Sequence, residues 1–290
     1  MDSYSLVVNN LSKKMPKFWL KNVTFSLPKG AIMALVGPNG AGKTTTVKII
    51  LNMMDKIQGS ACVLGFDSVK YDLRIRQKTT VVFDTNMYSD TWKVSRLEKT
   101  IAPFYNEWNH NIFMEKLMEF QISPDDKVCE LSQGMKMRLI FATAYARNSK
   151  LFIIDEPVAG FDPNERYELI GLLQDYISDG ERSVLYATHN TSDLIKYADY
   201  ITVLSQGEVK YTGKPESLLD RYIVVKGITK EIEVELKKHL IDLYRTKMGY
   251  EGWIGFEHAE FYHNYILEQP SMDDLINFIS RGGENRCPHF

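Results

Sequence analysis

Short unbroken apolar runs bounded by glycine, proline or charged residues recur along the chain. Each predicts a strand buried on both faces. Residues 31–36, 151–154 and 183–188 read this way, and the β-branched run at 79–83 is of the same kind. Residues 4–8 and 19–27 also predict strands. In the second, Leu27, Phe25 and Val23 alternate onto one face, as a half-buried strand requires. Residues 59–65 form a glycine-punctuated strand, and 200–204 and 208–211 flank Gln206 and Gly207 as a hairpin.

Helical spacing takes over elsewhere. Residues 46–51 open a helix, and 69–77 and 193–197 predict short ones. Residues 163–178 place Leu169, Leu172, Leu173, Tyr176 and Ile177 on one apolar face. From about Tyr88 the strand signals fade, and 96–105, 111–120 and 131–147 carry helix-spaced apolar residues. This is a helical insertion between strands. After position 215 the pattern changes again. Ile232, Leu236, Leu240 and Leu243 predict an amphipathic helix, and Ser271 to Asp274 resembles a capping box opening a last helix with Leu275, Ile276, Phe278 and Ile279. An aromatic-rich stretch (Trp253, Phe256, Phe261, Tyr262, Tyr265) lies between them. The expected organisation is a core with a β subdomain over 1–84 and 150–215, a helical subdomain over 85–149 and an appendage over 216–290.

Composition narrows the class only a little. A chain of 290 residues can bury one large core and carry an appendage. A net charge of −2 makes no case for a nucleic-acid partner. Cys62, Cys129 and Cys287 are sparse, odd in number and without metal-ligand spacing, which suits a reducing compartment. Residues 1–5 do not read as a signal peptide, and no apolar run approaches the roughly 18–20 residues of a membrane span. The expectation is a soluble cytoplasmic chain that something else must anchor if it works at a membrane.

The chemistry begins at Gly37, Pro38, Asn39, Gly40, Ala41, Gly42, Lys43, Thr44 and Thr45. A buried strand precedes this stretch and a helix follows it, which is the context of a P-loop. Its glycines let successive backbone N–H groups turn inward toward phosphate oxygens, and the helix dipole adds positive charge there. Lys43 is placed to reach the β- and γ-phosphates, and Thr44 to offer its hydroxyl to Mg²⁺. The fold class is therefore α/β: a P-loop NTPase (RecA-like) core with an antiparallel β subdomain, an inserted α-helical subdomain and a C-terminal α/β appendage.

Leu131-Ser132-Gln133-Gly134-Met135 resembles the Leu-Ser-Gly-Gly-Gln signature of ABC-type ATPases, with Gln133 and Met135 at its third and fifth positions. It stands between the P-loop and a strand ending in Asp155 and Glu156, as the family order requires. Residues 159–162 resemble that family's D-loop, with Phe161 for the usual leucine before Asp162, and Thr188-His189 resembles its switch histidine. The resemblance covers roughly 5–215. It implies that Asp155 holds Mg²⁺ through water and that Glu156 is the general base. It also implies that His189 contacts the γ-phosphate. Ser132, Gln133 and Gly134 would then complete the ATP site of a second subunit, with Asp162 at the interface. Asp162 also reads as a helix cap before Pro163.

Two places depart from the family. Asp84 stands where a glutamine is usual, and is expected to remain a metal-proximal residue. The base-stacking tyrosine is missing near Lys14 or Met15, which leaves either Phe18 or Trp19 to substitute or a loose base recognition that would also admit GTP. The implied job is the ATP-hydrolysing subunit of a transporter with ATP and Mg²⁺ as cofactors. Its partners would be a separate integral-membrane subunit and a second ATPase chain, as homodimer or heterodimer, with no nucleic acid. It would sit peripherally on the cytoplasmic face of the cell membrane. Tyr88, Trp92, Phe104 and Tyr105 are candidates to line the groove for the membrane subunit. The region 84–108 and the Pro270 to Asp274 stretch resemble bacterial exporters of peptides, bacteriocins or phenol-soluble modulins. Export of drugs or lipids, or a non-transport soluble ABC ATPase, are the alternatives.

Overall fold

The structure, a computed structural model, describes residues 3–83, 87–156, 161–189, 195–228, 232–246 and 249–281. A hairpin of β1 (Tyr4–Met15) and β2 (Phe18–Pro28) leads through β3 (Ile32–Val36) into α1 (Lys43–Ile50). Next come β4 (Gln58–Val63), β5 (Phe66–Asp67), α2 (Asp72–Lys78) and β6 (Thr79–Val82). Three helices follow: α3 (Val94–Ile101), α4 (His110–Glu119) and α5 (Gln133–Ala146). The chain then returns to β7 (Leu151–Asp155), α6 (Pro163–Ile177), β8 (Ser183–Thr188), β9 (Tyr200–Ser205) and β10 (Glu208–Gly213). It continues through α7 (Pro215–Leu219), β11 (Tyr222–Gly227), α8 (Val234–His239), β12 (Leu240–Thr246), β13 (Gly249–Gly255), β14 (Ile266–Glu268) and α9 (Met272–Ser280).

The central sheet has the order β10-β9-β3-β8-β7-β6. It is parallel from β9 to β6, and β10 folds back on β9 as a hairpin. Every residue of β3, β7 and β8 is buried, because both faces of these inner strands are covered. That is why their sequences read as unbroken apolar runs rather than alternations. The antiparallel sheet β2-β1-β4-β5 lies on one side. Val47, Ile49 and Ile50 of α1 sit in one apolar cluster with residues of both sheets. This clamps the helix that carries Lys43.

The other face of the central sheet receives α5 and α6. Phe141 of α5 stacks on Phe152 of β7 with ring centroids 4.6 Å apart, and the Tyr176 ring of α6 closes on both. The buried Tyr176 hydroxyl donates to the Ser149 carbonyl at 2.8 Å, so the aromatic packing leaves no stranded polar group. This cluster fixes α5, and with it the Ser132 stretch, against the sheet.

The C-terminal part departs from the periodicity. The helix expected over 232–243 ends at His239, and Leu240 opens a strand paired with β13. Leu236 and Leu240 still face one core with Val225, Tyr250 and Ile254. The spacing of four thus records a shared destination, not a continuous helix. A third sheet, β12-β13-β11-β14, is built here, and β11 and β13 were not read as strands from the sequence. The last helix begins as expected, with Ser271 Oγ accepting from the Asp274 N–H at 3.2 Å. Its Phe278 lies flat on Trp253, centroids 4.4 Å apart. Of the short helix expected at 193–197, only Ile195–Tyr197 is described, as a 3₁₀ turn. The strand expected at 4–8 runs on to Met15 through bulged pairings with β2.

Candidate functional site

β3 is a central strand, so the loop after it emerges at the carboxyl edge of the sheet, where ligands of open α/β folds bind. The loop is forced to use glycine. A Cβ at Gly37 would lie 2.0 Å from the Leu204 carbonyl oxygen of β9. Gly42 has φ +110°, and a Cβ there would lie 2.6 Å from the Phe18 ring. α1 then starts with no side-chain cap and no acidic residue in its first turn. Its leading N–H groups have no intrahelical acceptor, which is the arrangement that binds anions.

Lys43 is 4 % exposed, and its ammonium donates to the Gly37 carbonyl at 2.9 Å and the Pro38 carbonyl at 3.3 Å. Its Nζ also lies 3.0 Å from Glu156 Oε1. The other oxygen, Glu156 Oε2, is 3.1 Å from His189 Nδ1. Glu156 follows the last residue of β7 and has φ +53°, an uncommon conformation for a side-chain-bearing residue. Its N–H stays bonded to the Ala187 carbonyl of β8 at 3.0 Å, so the strand is held while the carboxylate aims at Lys43 and His189. Burial pushes the Glu156 pKa up, but the hydrogen bond and charge of Lys43, with His189, carry it below the ordinary glutamate value.

Asp155 is shifted the other way. Burial raises its pKa first, the negative Glu156 adds to that, and the Thr44 hydroxyl and the Lys43 charge oppose it. Its Oδ1 is buried and has no hydrogen-bond partner. An orphaned carboxylate oxygen beside the Thr44 hydroxyl is a hard-oxygen set suited to a divalent cation that keeps waters and phosphate ligands.

A cavity beside the loop is lined by Phe18, Gly40, Lys43, Thr44, Thr45 and Glu156, among others. Phe18 offers its ring to this cavity. Trp19 does not line it: it is 52 % exposed, with the ammonium groups of Lys21 and Lys14 over its ring at 5.4 and 5.9 Å.

The Ser132 stretch does not join this cluster. Ser132 caps α5, accepting from the Met135 N–H at 3.2 Å, and Gln133 is the first helical residue. The Gly134 N–H donates to Glu165 Oε1 at 3.3 Å. Asp162 caps α6 as one half of a capping box: it accepts from the Glu165 N–H at 2.9 Å, and Glu165 accepts from its N–H at 3.1 Å. Glu165 therefore joins Asp162 to Gly134, a role that the sequence reading missed. The Asp-Pro-Asn-Glu spacing at 162–165 was the signal for it. Asp84 lies outside the described residues, as do Ala159 and Gly160.

A second cavity of about 350 Å³ runs between α1, α2 and β6 on one side and the helical insertion on the other. Tyr88 and Tyr105 line it. Trp92 and Phe104 do not: Trp92 packs against the main core, and Phe104 stands 72 % exposed.

Comparison with known proteins places the chain. The family model described as ABC transporter matches residues 20–159. The lantibiotic transport ATP-binding protein SrtF of Streptococcus pyogenes is 31 % identical over 214 residues, covering 70 % of this chain and 88 % of its own length. ABC transporter A family member 7 of Dictyostelium discoideum is 31 % identical over 236 residues, covering 76 % of this chain. This chain spans only 27 % of that relative's length. A solved structure of an ATP-binding subunit of an ABC transporter superimposes with a TM-score of 0.65 at 25 % identity, covering 73 % of this chain and 91 % of its own. Among the described residues, no helix is long and apolar enough to cross a membrane. The chain belongs to the ATP-binding subunits of ABC transporters, the ATPases that hydrolyse ATP to power transport.

Proposed function

We propose that this chain binds ATP with Mg²⁺ at the 37–45 loop, hydrolyses it as one half of an ATP-closed dimer and drives a separate membrane subunit. The observation that carries the reading is the cluster Lys43–Glu156–His189 at a phosphate-binding loop, while Ser132, Gln133 and Gly134 sit on another helix. Among the described residues, none of those three lines the cavity at the loop. A site so divided is completed by a second subunit.

The residues take these roles. The 37–45 backbone and Lys43 hold the β- and γ-phosphates. Thr44 and Asp155, with Asp84 as the third member, would hold Mg²⁺, which neutralises phosphate charge in the transition state. When the phosphates claim Lys43, Glu156 loses its cation and gains an anionic neighbour. Its proton affinity rises, and it can take a proton from the attacking water. His189 holds Glu156 and the γ-phosphate in register. Ser132 and Gly134 close over the partner's nucleotide, with Asp162 at the interface. Phe18 stacks on the base.

The reading extends to the transporter. The groove lined by Tyr88 and Tyr105 receives a cytoplasmic segment of the membrane subunit, holding this chain peripherally on the inner face of the membrane. The cargo is an amphipathic or antimicrobial peptide moving outward; the similarity to SrtF and the 84–108 region support that choice over drugs or lipids. The test is co-purification from detergent-solubilised membranes and peptide efflux in cells carrying Glu156→Gln. Loss of efflux with the complex intact is expected. A chain that instead sediments with ribosomes or DNA overturns the transporter reading.

A further inference from the structure

The amino end of α5 carries no negative charge of its own. Ser132 caps it, and no acidic residue stands in its first turn. The positive end of the helix dipole is therefore left for another group to meet. Two carboxylates of α6 reach it. A Cβ at Gly134 would lie 3.6 Å from Glu165 Oε1 and 3.7 Å from Glu168 Oε2. Glu168 is paired with Arg138 of α5, 2.9 Å away. Among the described residues, no cation pairs with Glu165. Its oxygens accept from backbone instead, Oε1 from the Gly134 N–H at 3.3 Å and Oε2 from the Asp162 N–H at 3.1 Å.

The two bonds differ in kind. The Asp162 bond is half of a reciprocal capping box and belongs to the start of α6. The Gly134 bond joins residues 31 positions apart, on two different helices, and is the longer of the two. Both Gly134 and Glu165 are half-buried, so the contact stands where solvent and a second chain can reach it. The terminal carboxylate torsion of glutamate is broad. Glu165 can therefore turn away from Gly134 while one oxygen stays on the Asp162 N–H. Gly134 is also the residue that the divided-site reading gives to the partner's γ-phosphate. One N–H at one helix end cannot serve a carboxylate and a phosphate together, and the two anions repel.

We infer that Glu165 occupies the γ-phosphate seat of α5 in the separate chain, and that the partner's ATP must displace it for the dimer to close. Glu165 thus opposes closure. Once the γ-phosphate has gone, the carboxylate returns to the Gly134 N–H and favours opening. ADP has no group to put in that seat and leaves Glu165 in place. This rests on the divided-site reading above and adds a residue that sets how tightly the dimer holds.

The test measures the dimer dissociation constant by analytical ultracentrifugation with ATP and Mg²⁺, in full-length chains that carry Glu156→Gln to stop turnover. Adding Glu165→Gln keeps an acceptor for the cap but removes the charge. It should tighten the ATP dimer about 5-fold or more, and leave both chains monomeric with ADP. The gain should shrink between about 0.05 M and about 0.5 M NaCl, because salt screens the repulsion. Glu165→Ala is the second variant. It should lower the melting temperature by weakening the cap, and still tighten the dimer. A purely structural role would weaken both together. A dimer unchanged or weakened by Glu165→Gln, a gain that salt does not touch, or an equal gain with ADP overturns the inference alone. A Glu156→Gln chain that stays monomeric at every ATP concentration overturns the divided-site reading with it.

Discussion

Lys43 Nζ lies 3.0 Å from Glu156 Oε1, and this contact ties the phosphate-binding loop to the end of β7. The cation that should meet phosphate and the carboxylate that should meet water hold each other. Under the roles proposed above, binding of the nucleotide separates them and frees Glu156.

Glu156→Gln should lower kcat by about 10²–10⁴-fold, the usual worth of a positioned general base, with ATP binding retained. The amide leaves Lys43 without a competing charge, so nucleotide affinity should hold or improve. Size-exclusion chromatography with ATP should show a stable dimer, and an ATPase assay little turnover. Undiminished turnover would remove Glu156 from the mechanism.

The same pair predicts a pH dependence. The Glu156 pKa is held below its ordinary value of 4.5 in the folded chain. The contact therefore contributes stability in full above that value, and the contribution fades as pH falls through the folded pKa. The melting temperature of the wild type relative to Glu156→Gln should decline from neutral pH to pH 3.5. A difference constant across that range would show that the ion pair contributes nothing.

Asp155 works in the opposite direction. Its raised pKa means that its ionised form is disfavoured on folding, and the cost is present at and above the raised folded value. Asp155→Asn should raise the melting temperature of the free protein by roughly 2–4 °C at pH 7. It should also abolish the added stabilisation by ATP with Mg²⁺. Differential scanning calorimetry with and without nucleotide tests both halves.

Phe18 and Trp19 separate two readings of base recognition. Phe18→Ala should raise the dissociation constant for ATP by about 1–3 kcal/mol in free-energy terms, the worth of one stacked ring. Trp19→Ala should leave it within about 0.5 kcal/mol, as an exposed surface change. Titration with a fluorescent ATP analogue distinguishes them, and the reverse order would move the stacking role to Trp19.

Phe152 tests the packing that holds α5 in place. It is fully buried between Phe141 and Tyr176. Phe152→Ala should cost about 3–5 kcal/mol, read by urea unfolding.

Much of the site was legible in the chain because its parts are local. The strand–turn–helix at 31–51 follows from an apolar run, glycines where backbone must curl, and helix spacing after them. The order of the Ser132 stretch, Asp155-Glu156 and His189 is likewise readable without coordinates. The tertiary structure decided what lies far apart in sequence. Which aromatic faces the loop depends on the hairpin register that pairs Met15 with Phe18 and turns Trp19 outward. The meeting of Lys43, Glu156 and His189 depends on β3, β8 and β7 lying side by side, a sheet order that no periodicity encodes. The third sheet was hidden because Leu236 and Leu240 reach one core from a helix end and a strand start, and spacing alone cannot separate that from one helix.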